Sequence, residues 1–235
     1  MSLITQGFFN NRIAAIGFSA RDLGVSRGMG PRIIRDELVA YYDATNPKSY
    51  SGSGNTVYDL SGNGRNGTLT NGVSYSSNNR GYFVFDGSND YIDCSTIPST
   101  FWVDNSWSVA IWINFDRVDV GDQGLIGTNG SLCLIERSAT AYLGLWGNDS
   151  NSVTTLKTNN WYHVVFCYNN LNYQQRIFIN GVLDSSTTGA KSNLTGTGTN
   201  IGRVPFAFGY FKGEIASALF YNRNLSPQEI RSLFL

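Results

Sequence analysis

Short runs in which apolar and polar residues alternate, each closed by glycine or asparagine, constrain this chain more than any other feature of its sequence. The stretch WSVAIWINF, residues 107–115, is the clearest. On an extended backbone Trp107, Val109, Ile111, Ile113 and Phe115 share one face, while Ser108, Ala110, Trp112 and Asn114 share the other. In RIFING, Ile177 and Ile179 oppose Phe178. Asn180-Gly181 follows, the pair a tight hairpin prefers because both positions tolerate positive φ. Comparable runs begin at Leu38, Tyr82, Gly124, Ser131, Ala141, Trp161, Asn200 and Phe211, and DLSGNGRNGTLTNG (59–72) supplies a Gly/Asn-rich loop and a short strand. Asp86-Gly87-Ser88-Asn89-Asp90, between FVF and YI, has the residue types of a reversal between two strands.

The chain ends on a helix. In LSPQEIRSLFL, Ser226 stands as N-cap, Pro227 at the first helical position and Glu229 where a capping box needs it. Ile230, Leu233 and Phe234 then form one apolar stripe that can lie on a sheet. Many strands, one terminal helix and no βαβ rhythm predict an all-β chain folded as an antiparallel two-sheet sandwich.

A chain of 235 residues suits one large domain, or one domain with an appendage, large enough to bury roughly 70% of its unfolded surface without a disulfide staple. Cys94, Cys133 and Cys167 sit in apolar runs without metal-ligand spacing, so they read as buried thiols made in a reducing setting. Basic and acidic residues balance at 17 each, and no basic run is interleaved with aromatics, which argues against a nucleic-acid partner. The N-terminus lacks a secretory pattern and no apolar run approaches the roughly 20 residues of a membrane span.

Residues 1–37 differ from the rest. Arg12, Arg21, Arg27, Arg32 and Arg35 face few acids, glycine interrupts each apolar cluster, and Gly28, Gly30 and Pro31 disfavour a helix. The segment reads as an extended arm. Phe8, Phe9 and the five arginines are its candidate contacts with a partner surface, and the sandwich then spans 38–235.

FDGSNDYI (85–92), WSVAIWIN (107–114), NNWYHVVF (159–166), RIFINGV (176–182) and FKGEIASALFYNRNLSPQEI (211–230) stand in an order that resembles the laminin-G-like jelly roll of the concanavalin A-like lectin/glucanase superfamily. The opening YYDATNPKSYSGSGNTVYDLSGNGRNGTLTNG (41–72) is similar to the variety of this domain found in marine phages and large viruses. That resemblance implies a jelly-roll sandwich and a component of the virus particle, made in the host cytoplasm, or else an adhesive surface protein. Its partners would be other virion proteins in a capsid or tail lattice, reached through residues 1–37, with homo-oligomers imposed by the lattice. It also implies a structural Ca²⁺ near a sheet edge, for which Asp43 and Asp59 are the candidate ligands; no other cofactor is expected.

Catalytic chemistry finds little support. Glucanases of the superfamily carry Glu-x-Asp-x-x-Glu on one strand, and none of Glu37, Glu136, Glu214 and Glu229 sits in that pattern. Glu136, after an apolar strand run and beside Arg137, reads equally well as a paired surface residue, and the lone His163 as a hydrogen-bonded structural histidine without a nucleophile. Asp116, Asp119 and Asp122 read as a solvated connection, and Asp90 and Asp93 as carboxylates on opposite faces of an extended chain. Host glycans remain as ligands. Sugar sites need flat aromatics and amides, which makes Trp102, Trp146, Asn148, Asn151, Tyr173 and Asn172 the candidates. The expectation is a non-enzymatic virion structural protein, a phage capsid-decoration or tail-surface component. The alternative is a carbohydrate-binding adhesin.

Overall fold

A computed structural model describes residues 32–118, 121–145, 149–191, 194, 196–206 and 209–235. Among these residues two sheets form a sandwich. The first has eight strands, in spatial order β14 (Val182–Thr188), β13 (Gln174–Ile179), β12 (Trp161–Asn169), β7 (Trp107–Phe115), β17 (Lys212–Tyr221), β5 (Tyr82–Asp86) and β4 (Ser74–Ser76), with β1 (Leu38–Asp43) beside the second half of β17. The second has nine: β11 (Ser150–Asn151), β10 (Thr140–Gly144), β9 (Cys133–Arg137), β8 (Gln123–Gly127), β15 (Asn200–Ile201), β6 (Tyr91–Asp93), β3 (Gly67–Thr70) and β2 (Thr56–Val57), with β16 (Gly209–Tyr210) beside β8. Among the described residues only the β16–β8 pair is parallel. No helix among the described residues is long and apolar enough to cross a membrane.

The alternation in the sequence is the division between inside and outside. Trp107, Val109, Ile111, Ile113 and Phe115 enter the core between the sheets, with Ile177 and Ile179 from β13. Ala110 and Phe178 lie on the opposite face of the eight-stranded sheet, and so does Trp112. That outer face is covered by α1 (Pro227–Phe234), whose Ile230 and Leu233 are buried against it. The capping box forms as expected: Ser226 Oγ accepts the Glu229 N–H and the Glu229 carboxylate accepts the Ser226 N–H. Eight residues are too few to hold a helix by propensity, so the buried stripe must do it. Asn180 and Gly181 take φ of 52° and 78°, which closes the two-residue β13–β14 turn.

Two local expectations gain detail. Residues 86–90 do connect two strands, as expected, and since β5 and β6 belong to different sheets the connection carries the chain across the sandwich. Asp90 holds that crossing by accepting the Asp86 N–H at 3.0 Å. Part of the segment 1–37 that the sequence assigns to an arm lies against the sandwich. Phe8, Phe9, Arg12, Arg21 and Arg27 lie outside the described residues, but Ile33 and Ile34 pack on the outer cluster that contains Leu38, Tyr41 and Leu225. Asp36 pairs with Arg223 at 3.0 Å, while Arg32 is exposed. Arg35 donates to the Leu60 carbonyl at 2.7 Å and so is held by the body of its own chain.

Candidate functional site

The loop 59–66 is built around one carboxylate. Asp59 accepts the Tyr41 N–H at 2.9 Å, the Ser61 N–H at 2.8 Å, the Ser61 hydroxyl at 2.7 Å and the Arg65 N–H at 3.0 Å. Gly62 and Gly64 take φ of 97° and 69°, a left-handed backbone that suits glycine and lets the loop fold back along β1. Asn63 then donates to the Leu38 and Val39 carbonyls at 2.9 and 3.0 Å, and Arg65 Nη1 donates to Val39 at 2.8 Å. A strand edge that would otherwise expose bare carbonyls is covered by side chains.

Covering that edge makes a cleft. One lobe, about 190 Å³, lies between Arg65 and Val39 on one side and Thr100, Phe101, Asn105 and Asn222 on the other. The second, about 340 Å³, shares Val39, Arg65 and Asn222 and is completed by Arg35, Glu37 and Asn63. Glu37, at φ 55°, is the one carboxylate in the lining of either lobe. Hydrolysis of a glycosidic bond by the usual route needs two carboxylates flanking it, and this cleft supplies one. Amides, guanidiniums and a single carboxylate suit the binding of hydroxyl groups instead.

The other glutamates serve the fold. Glu136, for which a surface pairing was one reading, is fully buried: it accepts from Gln123 Nε2 at 2.8 Å and from the Ala139 N–H at 2.7 Å. A buried carboxylate is tolerated because both oxygens find donors. Its neighbour Arg137 instead forms a two-bond fork with Asp122, at 3.0 and 2.7 Å. Glu214 accepts from Asn114 at 2.9 Å. Arg223 bonds both oxygens of Glu229 and, together with the helix cap, lowers its carboxyl to about 2. His163 is structural but not hydrogen-bonded: its ring is buried beside Trp112, neither nitrogen has a partner, and burial lowers it to about 3.

The sequence-derived glycan residues that are described, Trp102, Asn151, Asn172 and Tyr173, do not line the cleft. Trp102 is only 1% exposed, and its indole N–H donates to Thr199 at 2.9 Å. It packs edge-on against Phe101 and Trp107, with ring centroids 4.5 and 5.1 Å away, so no face is left for a sugar. Trp146 and Asn148 lie outside the described residues. Asn151 is exposed on the edge strand β11, where its side chain accepts from Thr140 at 3.3 Å. Tyr173, at φ 57° in the β12–β13 turn, is half-buried against the core, and Asn172 beside it accepts the Gln174 N–H. The outer face of the nine-stranded sheet is no better as an aromatic platform. Arg203 lies 3.5 Å over the Tyr91 ring and Arg137 lies 4.1 Å over Tyr142. Val204 sits so close that a Cβ on Gly127 would come within 2.7 Å of it.

The residues proposed for calcium do not fit a cation. Asp43 is buried, and its oxygens accept from the Tyr41 hydroxyl at 2.6 Å and from Thr45 N–H and Oγ1 at 2.9 and 2.7 Å. Burial raises its pKa, which favours the neutral form. Asp59 spends both oxygens on the four donors named above. Among the described residues no three of His, Cys, Asp and Glu stand together as a metal cage requires.

A family model of the concanavalin A-like lectin/glucanase superfamily, in its laminin-G form, matches residues 85–231. The chain belongs to this superfamily. None of the curated proteins compared with it matches in sequence. Among solved structures, domain 4 of AbnA, an extracellular arabinanase of Geobacillus stearothermophilus in complex with arabinotriose, is similar over 85% of this chain and 98% of its own, at 21% identity and a TM-score of 0.66. A Trypanosoma rangeli sialidase matches 89% of this chain at 17% identity and a TM-score of 0.64; the match spans 34% of the sialidase. Botulinum neurotoxin type C, whose cell entry depends on interaction with two ganglioside molecules, matches 86% of this chain and 51% of its own at 15% identity and a TM-score of 0.65. At these identities the likeness is one of fold, and this concanavalin A-like chain shares its sandwich with proteins of quite different activity.

The cleft residues Asn63, Arg65, Asn105 and Asn222 were missed because strand periodicity says nothing about loops. The available signal was the density of Asn and Gly in residues 59–72, which announces a loop but not what it faces.

Proposed function

We propose that this chain is a non-enzymatic surface protein of a virus particle, a phage capsid-decoration or tail-surface component, whose lectin-like sandwich holds host glycan in the cleft beside β1. The observation that carries the glycan reading is the cleft itself. Arg35, Asn63 and Arg65 are pinned by bonds to backbone carbonyls, so they are ordered before a ligand arrives and lose little entropy on binding it. Two neighbours in fold, one solved with arabinotriose and one dependent on gangliosides, support a saccharide ligand. The single carboxylate of the cleft supports binding without hydrolysis.

The virion setting rests on the likeness of residues 41–72 to domains of marine phages and large viruses, and on the arm. Apolar residues and arginines on one segment can gain affinity by ordering against a lattice. The segment assigned to anchoring is residues 1–31, because Ile33 to Asp36 are already bound to the sandwich. Two measurements test the reading. A glycan array with the full chain should give a saturable ligand that Asn63→Ala weakens; a blank array would remove the adhesive role. Deleting residues 1–31 should leave a folded protein that is missing from purified particles by mass spectrometry, and undiminished incorporation would remove the anchoring role.

A further inference from the structure

Resting on the glycan-binding reading above, we propose that the cleft selects a saccharide bearing a carboxylate, a uronic acid unit, and that Arg35 and Arg65 read the acid. A guanidinium offers five N–H donors in a planar fork. Arg35 spends one on the Leu60 carbonyl at 2.7 Å and Arg65 one on the Val39 carbonyl at 2.8 Å. Those bonds fix both side chains on the cleft wall and leave most of each fork unspent.

Neither arginine makes an ion pair among the described residues. Two arginines elsewhere do: Arg137 is matched by Asp122, and Arg223 by Asp36 and Glu229. Asp59, the carboxylate nearest in sequence to Arg65, is turned to backbone and hydroxyl donors and accepts only the main-chain N–H of that residue. Two unmatched guanidiniums on one concave wall are what a planar carboxylate bonds with two parallel N–H···O contacts. Glu37 in the same lobe leaves an excess of one positive charge, which fits a single acid group better than a polyanion. The carboxylate of Glu37, with Asn222 and Asn63, is then placed for the sugar hydroxyls. At about 340 Å³ the lobe lies at the small end of ligand sites, room for roughly one or two sugar rings.

The test is calorimetric titration of the full chain with a glucuronic acid-containing disaccharide, its methyl ester and its neutral glucose counterpart. The acid should bind at least about tenfold tighter than the other two, with the preference falling as salt is raised. Arg35→Gln should abolish the preference and Arg35→Lys should restore part of it, since a lysine keeps the charge without the fork. Arg65→Gln should act likewise, with an unchanged thermal melt confirming that the fold is kept. Equal affinity for acid, ester and neutral sugar would overturn the acid selection while glycan binding stood, as would a preference unchanged in Arg35→Gln. An array with no saturable ligand would overturn both.

Discussion

Phe234 lies face to face with Trp112, with ring centroids 5.7 Å apart and planes inclined by 14°, and the same phenyl ring stacks on His163 at 6.1 Å. The last turn of α1 is thereby a lid on two aromatic side chains that alternation in β7 and β12 sends to the outer face of the eight-stranded sheet. Phe234→Ala should lower the unfolding free energy by about 1–3 kcal/mol, less than a fully enclosed phenylalanine would cost because this one is half-buried. The denaturant midpoint should fall with an unchanged slope, and the fluorescence of Trp112 should shift to the red.

His163 makes stability depend on pH. Its folded pKa, lowered to about 3 by burial, lies below the ordinary 6.5, so the unfolded chain takes up the proton first as pH falls. Its share of the stability is therefore complete above pH 6.5 and declines toward pH 3, at up to about 1.4 kcal/mol per pH unit. His163→Phe, which keeps the stack with Trp112, should flatten denaturation midpoints across that window. An identical slope in the variant would assign the effect to other groups.

Asp59 organises the cleft without lining it. Asp59→Ala strands the Tyr41 and Arg65 N–H groups together and should cost about 2–4 kcal/mol. Glycan affinity should fall as well, because Arg65 and Asn63 lose the loop that holds them. Asp59→Asn should lie between, since an amide oxygen can still accept while its NH₂ faces donors. Thermal melts and titration of the two variants separate these outcomes.

Chelation should leave the protein unchanged. With the oxygens of Asp43 and Asp59 committed to protein donors, melting temperatures in EDTA and in millimolar Ca²⁺ should agree within error. A rise of several degrees with Ca²⁺ would show that a cation displaces those donors.

The three thiols should be silent until the chain unfolds. Cys94, Cys133 and Cys167 are buried and free, and desolvation raises all three, Cys133 to about 12 and Cys167 to about 11. A thiol reagent at pH 8 should react with the native protein at the rate of unfolding and with the denatured protein at once.

Much of the fold was legible in the residues themselves. Period two on an extended backbone assigns each side chain to a face, so WSVAIWINF and RIFING declared which side met the core before any partner strand was known. The cap at Ser226 and the turn at Asn180-Gly181 were legible for the same reason, since the bonds and angles they need are made within four residues. Trp102 shows where this stops. A tryptophan after a short turn reads equally as a sugar platform or a core residue, and only the rings of Phe101, Trp107 and Phe220 around it decide.

The sequence by itself therefore determined most of the longer strands, the face their side chains take, the terminal helix and the family, while β14 and the short strands β2, β4, β11 and β16 escaped it. Tertiary structure alone decided the cleft. Arg35 and Glu37, Asn63 and Arg65, Thr100 and Asn105, and Asn222 come from four separate parts of the chain and meet only when the sandwich closes. It also decided which charges are spent. Glu136 is buried on Gln123 while Arg35 and Arg65 keep unpaired donors, because an ion pair is a matter of distance in space and carries no period along the chain.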